Sequence, residues 1–360
     1  TRWLSGDLMA EHALKEALNR QGIGVIPVFT TGNPDMELGS LSMDQTIEHF
    51  FMENGNLRID ALINFIYFGM TLEEGKSLFE RAANLYKRLD IPVIRPVQSS
   101  YLTNSEWEND ASPFKQDVAM CYDMAEMQGA IETVFLGGMK EHKIHDVVPE
   151  RTEKLAKRIA GWISLRKKPK EEKRIAFLLN NAVCSGVEAT LGRASGLDSF
   201  ESVVRVLKEL RTAGYDVGEI PEKGEELRKL FLERKAYSDF RWTSVEDIEA
   251  CGGTLYAMPA CEYQQFFDTL SPKIQQQMEE AWGNVPGEAM VLDGKLVITG
   301  MRFGKVLLMI QPKRGCFGAK CTGEVCKILQ DPSCPPTHQY LATYYYASEI
   351  FGADALIHVG

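Results

Sequence analysis

The sequence predicts an α/β protein of two doubly wound, mostly parallel open-sheet domains with flavodoxin- or Rossmann-like layering. The second domain also carries a helical excursion and a β-hairpin. Three observations predict this. Short apolar runs alternate with amphipathic helical stretches along most of the chain. The runs are continuous rather than alternating apolar with polar, as expected of strands covered by helices on both faces. And 360 residues with 44% hydrophobic content are enough for two cores.

Taken in order, AEHALKEALNR reads as a helix leading into an apolar run at 24–29. A helical stretch near 43–53 precedes the strand-like run 60–69, and a helix over 71–89 leads to the strand IPVIRPV at 91–97. A helix near 113–126, a short strand at 132–137 and a helix over 149–165 complete the first domain. RKKPKEEKR, with Pro169 inside it, marks the boundary. The expected division is an amino-terminal domain at 1–166, a charged linker at 167–174 and a second domain at 175–360.

The second half opens with a strand over 173–181. A helix follows whose start, Asp198 with Glu201 three residues on, has a capping-box arrangement and whose end is Gly214. YDVGEI reads as the next strand, followed by a polar helical excursion over 223–282 in which Ser271-Pro272 starts a helix. Asp293-Gly294 between two apolar arms signals a hairpin. KVLLMI at 305–310 and ALIHVG at 355–360 read as buried strands. With no initiating Met, and a last strand without a following helix, the chain reads as a fragment of a longer polypeptide.

Composition narrows the function. A formal net charge of −10 opposes nonspecific nucleic-acid binding, which needs a basic face. No apolar run approaches the ~20 residues of a membrane span, and no secretory signal is present. Eight cysteines in such a chain read as reduced thiols or metal ligands, which points to the cytoplasm. Neither a G-x-x-x-x-G-K-[ST] loop nor a G-x-G-x-x-G turn follows a strand, so nucleotide binding is not expected of this chain. No nucleophile elbow is present either.

Ligands of open α/β sheets bind beyond the carboxyl ends of the strands. There the second domain places Asn180 and Asn181, then Cys184, Glu188 and Arg193 in a glycine-rich segment, then Gln311, Lys313 and Arg314, and finally His358. Pro335-Pro336-Thr337 signals a helix start that puts His338 in a first turn, with Tyr340 beyond it. Amide, carboxylate, guanidinium and imidazole groups together suit a polar, metal-capable cleft for an anionic ligand. The run Tyr344-Tyr345-Tyr346 holds residues able to stack on a flat macrocycle, although consecutive helical residues point different ways.

Cys316, Cys321, Cys326 and Cys334 follow C-x(4)-C-x(4)-C-x(7)-C. That spacing matches neither the usual zinc pairs nor the ferredoxin patterns. Four thiols in so short a stretch can still surround zinc or an iron–sulfur cluster, and buried small side chains are the alternative. His142 and His145 stand three apart in a loop-like context.

RWLSGDL, IPVIRPV, AGYDVGEIPE, GMRFGKVLLMIQPKRG, DPSCPPTHQYLATYYY and FGADALIHVG occur in one order across nearly the whole chain. Together they resemble the large subunit of cobaltochelatase and magnesium chelatase, and most of all its cobalt-type branch. In that family the last stretch continues into a second histidine and a glutamate. The resemblance implies a subunit that binds a porphyrin or corrin and inserts a divalent metal, cobalt or magnesium. Its implied partners are an AAA+ ATPase subunit, which consumes the ATP, and an integrin-domain subunit.

By the same resemblance His358, His338 and Glu188 fall on family motif positions and carry the chemistry, and Gln311 and Arg314 fall in its Gln-Pro-x-Arg-Gly turn; with them Asn181, Arg193, Lys313 and Tyr340, from the strand ends and the helix start, are expected to bind the tetrapyrrole. The four-cysteine insert, and Thr337 in place of a histidine, depart from the family pattern. Insertion requires removal of two pyrrole protons and dehydration of the ion. Imidazole and carboxylate groups suit both tasks. A non-catalytic tetrapyrrole-binding module and an iron–sulfur redox protein are the alternative readings, and the piece alone is expected to lack turnover.

Overall fold

The computed structural model describes residues 2–30, 34–66, 78–110, 117–140, 144–181, 190–238, 243–315 and 333–360. The chain forms two compact units, Thr1–Lys167 and Lys168–Gly360. It is a mixed α/β protein with small, mostly parallel sheets. Among the described residues, no helix is long and apolar enough to cross a membrane.

In the amino-terminal unit, helix α1 (Met9–Arg20) precedes strand β1 (Leu62–Ile63), helix α2 (Leu78–Leu89) and strand β2 (Val93–Ile94). Strands β3 (Val97–Thr103) and β4 (Phe135–Met139) follow, then helix α3 (Pro149–Lys167). β1 pairs in parallel with β2, and β3 with β4. Leu14, Ala17 and Leu18 of α1 pack with Leu155, Ala156 and Ile159 of α3 around Ile94 and Leu136. These residues recur at the three- and four-residue spacing that puts one helix stripe against the core.

Two expectations fail in this unit. Residues 24–29 form no strand, because Pro27 lacks the N–H a ladder needs, and Ile26 is left exposed. The single strand expected at 91–97 breaks at Arg95-Pro96 for the same reason, giving β2 and β3.

The carboxy-terminal unit is built on strand β5 (Ile175–Leu179). Helices α4 (Ser199–Thr212) and α5 (Gly224–Glu233) follow, then strand β6 (Thr254–Pro259) and helices α6 (Ala260–Phe267) and α7 (Pro272–Trp282). Strands β7 (Val291–Leu292), β8 (Lys295–Thr299), β9 (Met301–Phe303) and β10 (Val306–Ile310) come next. Helix α8 (His338–Tyr345) and strand β11 (Ala355–Val359) close the unit.

The main sheet runs β9-β10-β5-β11, with β10 and β11 parallel to β5 and β9 antiparallel to β10. Ile175, Phe177, Leu179, Val306, Leu308 and Ile310 pack on one face against α4 and α5. Ala176, Leu178, Leu307 and Met309 pack on the other against Tyr263, Phe267, Met278, Ala342 and Tyr346. Full burial is worth about 1.5–3 kcal/mol for each large apolar side chain, and here it is available on both faces. The continuous apolar runs of β5 and β10 therefore reflect two covered faces.

Local signals explain several elements. Asp293 (φ 48°) and Gly294 (φ 72°) make the turn between β7 and β8. Ser271 Oγ accepts the Ile274 N–H at the start of α7. Asp198 Oδ1 accepts the Glu201 N–H at 3.0 Å, but the box is not reciprocal: Glu201 Oε2 accepts from Gly224 N at 2.8 Å and ties α4 to the start of α5.

Residues 215–220 form no strand. Their chain lies against the β9–β10 turn, where Lys305 N donates to Asp216 O at 2.9 Å and Gly218 takes φ 54° beside the Gly304 backbone. Within 223–282, expected as helical, β6 pairs with β8. β11 is an edge strand rather than a buried one: among the described residues it pairs with β5, and Leu356 and Ile357 are exposed. The charged run is held at both ends by Asp354, whose carboxylate accepts from Lys168 Nζ at 2.7 Å and Arg174 N at 2.7 Å.

Candidate carboxyl-edge site

Parallel register places Ile310, Leu179 and Val359 side by side. The residues that follow them therefore emerge at one rim. Gln311 N donates to Leu179 O at 2.9 Å, and Asn180 N donates to Val359 O at 2.8 Å. His358, in register with Leu178, faces the α8 side of the sheet and is exposed.

Helix α8 supplies the rest of this rim. Thr337 caps it, accepting Tyr340 N–H at 3.2 Å, and Thr337 N donates to Arg314 O at 2.9 Å. Arg314 Nη2 donates to Cys334 O at 2.6 Å, so the segment after β10 is laced to the segment before α8. Gln311 Nε2 lies 3.1 Å from both the Tyr340 and Tyr344 hydroxyl oxygens. The Tyr344 ring stacks on the His358 imidazole, with centroids 5.9 Å apart and planes 21° from parallel. Burial, reinforced by the hydrogen bond with Tyr340, raises the Tyr344 pKa, so its phenol is neutral at physiological pH.

The site residues expected from the sequence thus fall into separate groups. Gln311, Tyr340 and His358 come together through Tyr344, with Arg314 and the half-buried Lys313 on the same connecting segment. Asn181 and Arg193 belong to the loop after β5. Asn181 bridges to Leu191, its Oδ1 accepts from Thr190 Oγ1 at 3.4 Å, and Arg193, exposed, bridges to Asp198. Glu188 and Cys184 lie outside the described residues.

His338 is not at the rim. On α8 it points away from Tyr340 into the core, where it is 2% exposed. Its Nε2 donates to Gly283 O at 2.9 Å, and its Nδ1 accepts from the Tyr263 hydroxyl at 3.3 Å. Burial lowers its pKa, which fits a neutral ring with both nitrogens engaged. The capping signal located the helix correctly, but the aromatic pocket of Tyr263 and Phe267 decides which way the ring faces.

Cys316, Cys321 and Cys326 lie outside the described residues, and the Cys334 thiol approaches its neighbour's Pro335 O at 3.7 Å. Among the described residues, no three His, Cys, Asp or Glu side chains are placed to hold a metal ion. His145 pairs with Asp7 in the amino-terminal unit, Nδ1 to Oδ2 at 2.6 Å, and His142 is outside the described residues. Sequence reasoning did not assign Tyr344 a place beside His358. The four-residue spacing of Tyr340 and Tyr344 was the available signal, since it puts both rings on one helix face.

A model of the CobN/Magnesium Chelatase family matches residues 1–360. An uncharacterised protein of Methanocaldococcus jannaschii is 40% identical over 362 residues, covering 96% of this chain and 29% of its own length. The aerobic cobaltochelatase subunit CobN of Pseudomonas aeruginosa is 29% identical over 283 residues, 76% of this chain and 22% of that protein. The chloroplastic magnesium-chelatase subunit ChlH of Oryza sativa is 26% identical over 351 residues, 95% of this chain and 23% of that protein.

The catalytic subunit of cobaltochelatase from Mycobacterium tuberculosis shares the fold, with a TM-score of 0.74 at 24% identity over 99% of this chain and 29% of that one. This chain therefore spans less than a third of the length of these relatives. With the family pattern running from its first residue to its last, the chain belongs to the CobN/magnesium chelatase family.

Proposed function

We propose that this chain is part of the tetrapyrrole-binding, metal-inserting large subunit of an ATP-dependent chelatase. The observation that supports this most is the gathering of Gln311, Tyr340 and His358 at one carboxyl edge of a parallel sheet, with Arg314 on the segment that follows Gln311, in a chain of this family. In this reading the metal is a substrate, cobalt in preference to magnesium, and the ring is a corrin or porphyrin. His358 meets the incoming ion as a neutral imidazole and, once the ion has passed to the ring, takes up one displaced pyrrole proton, since imidazoles ligate divalent metals and exchange protons near neutral pH. Glu188 shares that work. Arg314 and Lys313 bind the peripheral carboxylates, Arg314 in the bidentate manner of guanidinium groups. Asn181, Arg193, Gln311 and Tyr340 complete the rim.

His338, sealed and neutral, supports the site from within rather than touching the ring. The two units keep doubly wound layering on either side of the charged run at 167–174. An AAA+ ATPase subunit and an integrin-domain subunit supply the ATP-driven step in the cytoplasm.

The test is to titrate the full-length protein with a corrin and with a porphyrin by fluorescence quenching. Co²⁺ or Mg²⁺, ATP and the partner subunits are then added. The reading predicts ring binding without metal followed by ATP-dependent insertion. Binding with no insertion under every combination would overturn it.

A further inference from the structure

We propose that Tyr344 is a positioning residue: its ring fixes the plane of the His358 imidazole at the sheet's carboxyl edge, and Gln311 holds Tyr344 in place. The proposal rests on the reading of His358 as the residue that meets the metal. Among the described residues His358 stands exposed on a strand paired on one side, so its ring can turn about a broad, roughly two-fold torsion unless something packs on it. The Tyr344 ring does so, at 5.9 Å and 21°.

Tyr344 is itself anchored. Its hydroxyl oxygen accepts from Gln311 Nε2 at 3.1 Å, and the second amide hydrogen of Gln311 goes to Tyr340, also at 3.1 Å. A carboxamide nitrogen has two hydrogens, so both are committed. The Gln311 backbone is fixed by the sheet through its 2.9 Å bond to Leu179 O. The chain of restraint thus runs from the β5–β10 ladder through the Gln311 amide and the Tyr344 ring to the imidazole. Tyr344 presents a neutral plate rather than a charge: a phenol ordinarily keeps its proton at physiological pH, and burial raises its pKa further. An imidazole that must hold an ion while neutral and take up a pyrrole proton once the ion has passed to the ring gains from such a plate, since misplacing a reacting group by about 1 Å can cost up to ~100-fold in rate.

The test uses the full-length protein with its partner subunits, comparing wild type with Tyr344→Phe, Tyr344→Leu, Gln311→Leu and His358→Ala. Tyr344→Leu should lower kcat for metal insertion about tenfold or more while KM for the tetrapyrrole stays within about twofold. Tyr344→Phe, which keeps the ring but loses the Gln311 hydrogen bond, should give a rate between those of wild type and Tyr344→Leu. In histidine-labelled protein the His358 ring-proton resonances should move toward those of free histidine in Tyr344→Leu, and less far in Tyr344→Phe, where the ring remains but its Gln311 bond is gone.

Wild-type kcat in Tyr344→Leu beside an impaired His358→Ala overturns the positioning role alone. Insertion untouched by His358→Ala overturns the reading beneath it. Should Tyr344→Leu fail to fold by circular dichroism, Gln311→Leu decides: unmoved His358 resonances there overturn the proposal, and shifted ones support it.

Discussion

His338 Nε2 lies 2.9 Å from the carbonyl oxygen of Gly283 and must be the nitrogen that carries the proton of this bond. Its Nδ1 therefore receives the Tyr263 hydroxyl, 3.3 Å away. A second proton would remove that acceptor and put a charge into the core. The ring is thus part of the packing that orients α8, whose opposite face carries Tyr340 and Tyr344 to the rim.

A pH dependence follows. Burial holds the His338 pKa below the usual histidine value of about 6.5, so the unfolded chain takes up the proton first as pH falls. The stabilisation is fully present above about pH 6.5 and is lost as pH drops below it toward the lower folded-state value. Urea unfolding at pH 7.5, 6.5 and 5.5 should show wild type losing more stability than His338→Asn over this range. Parallel curves would show that this ring does not carry the proton linkage.

Gly287 tests the same pocket from outside. A Cβ there would lie 2.9 Å from His338 Cδ2, at φ +76°. Gly287→Ala should cost about 1–3 kcal/mol through overpacking added to backbone strain. Gly252 has the same φ of +76°, but a Cβ there meets nothing within 4 Å. The difference in denaturant midpoint between the two alanine variants isolates the clash, and equal midpoints would mean that the ring simply moves aside.

These residues also show what the sequence could reveal. β5 and β10 were legible because both faces of each are buried, leaving unbroken apolar runs. The β7–β8 hairpin was legible because Asp-Gly meets a local backbone requirement. β6 was not, since Thr254–Pro259 is mostly half-buried inside a polar stretch and becomes a strand only by pairing with β8, some forty residues later. At the site, parallel register made the rim positions of Gln311 and His358 predictable. The burial of His338 was not, because it depends on Tyr263 and Phe267, which are remote along the chain.

Arg314 is exposed, and its Nη2 already donates to Cys334 O at 2.6 Å, so one edge of its guanidinium is oriented before any ligand arrives. Arg314→Ala in the full-length protein should weaken tetrapyrrole binding about tenfold, or ~1.4 kcal/mol, with Arg314→Lys recovering only part. Fluorescence-quenching titrations check this. Unchanged affinity in both variants would remove Arg314 from the binding surface.

Asp198 caps α4, which covers one face of the main sheet. Asp198→Ala should cost about 1 kcal/mol, lowering the melting temperature by roughly 2–4 °C for a unit of this size. Differential scanning calorimetry would show it, and an unshifted transition would mean that water replaces the cap without loss.

In the proposed function His358 acts at the carboxyl edge of this sheet on both ring and metal. The most direct measurement compares wild type and His358→Ala in the full-length protein with its partners, following tetrapyrrole binding and ATP-dependent metal insertion separately. Near-normal ring binding is expected, with insertion reduced at least about 100-fold, the lower end of the range for loss of a proton-transfer group. Equal loss of binding and insertion, or loss of neither, would contradict it.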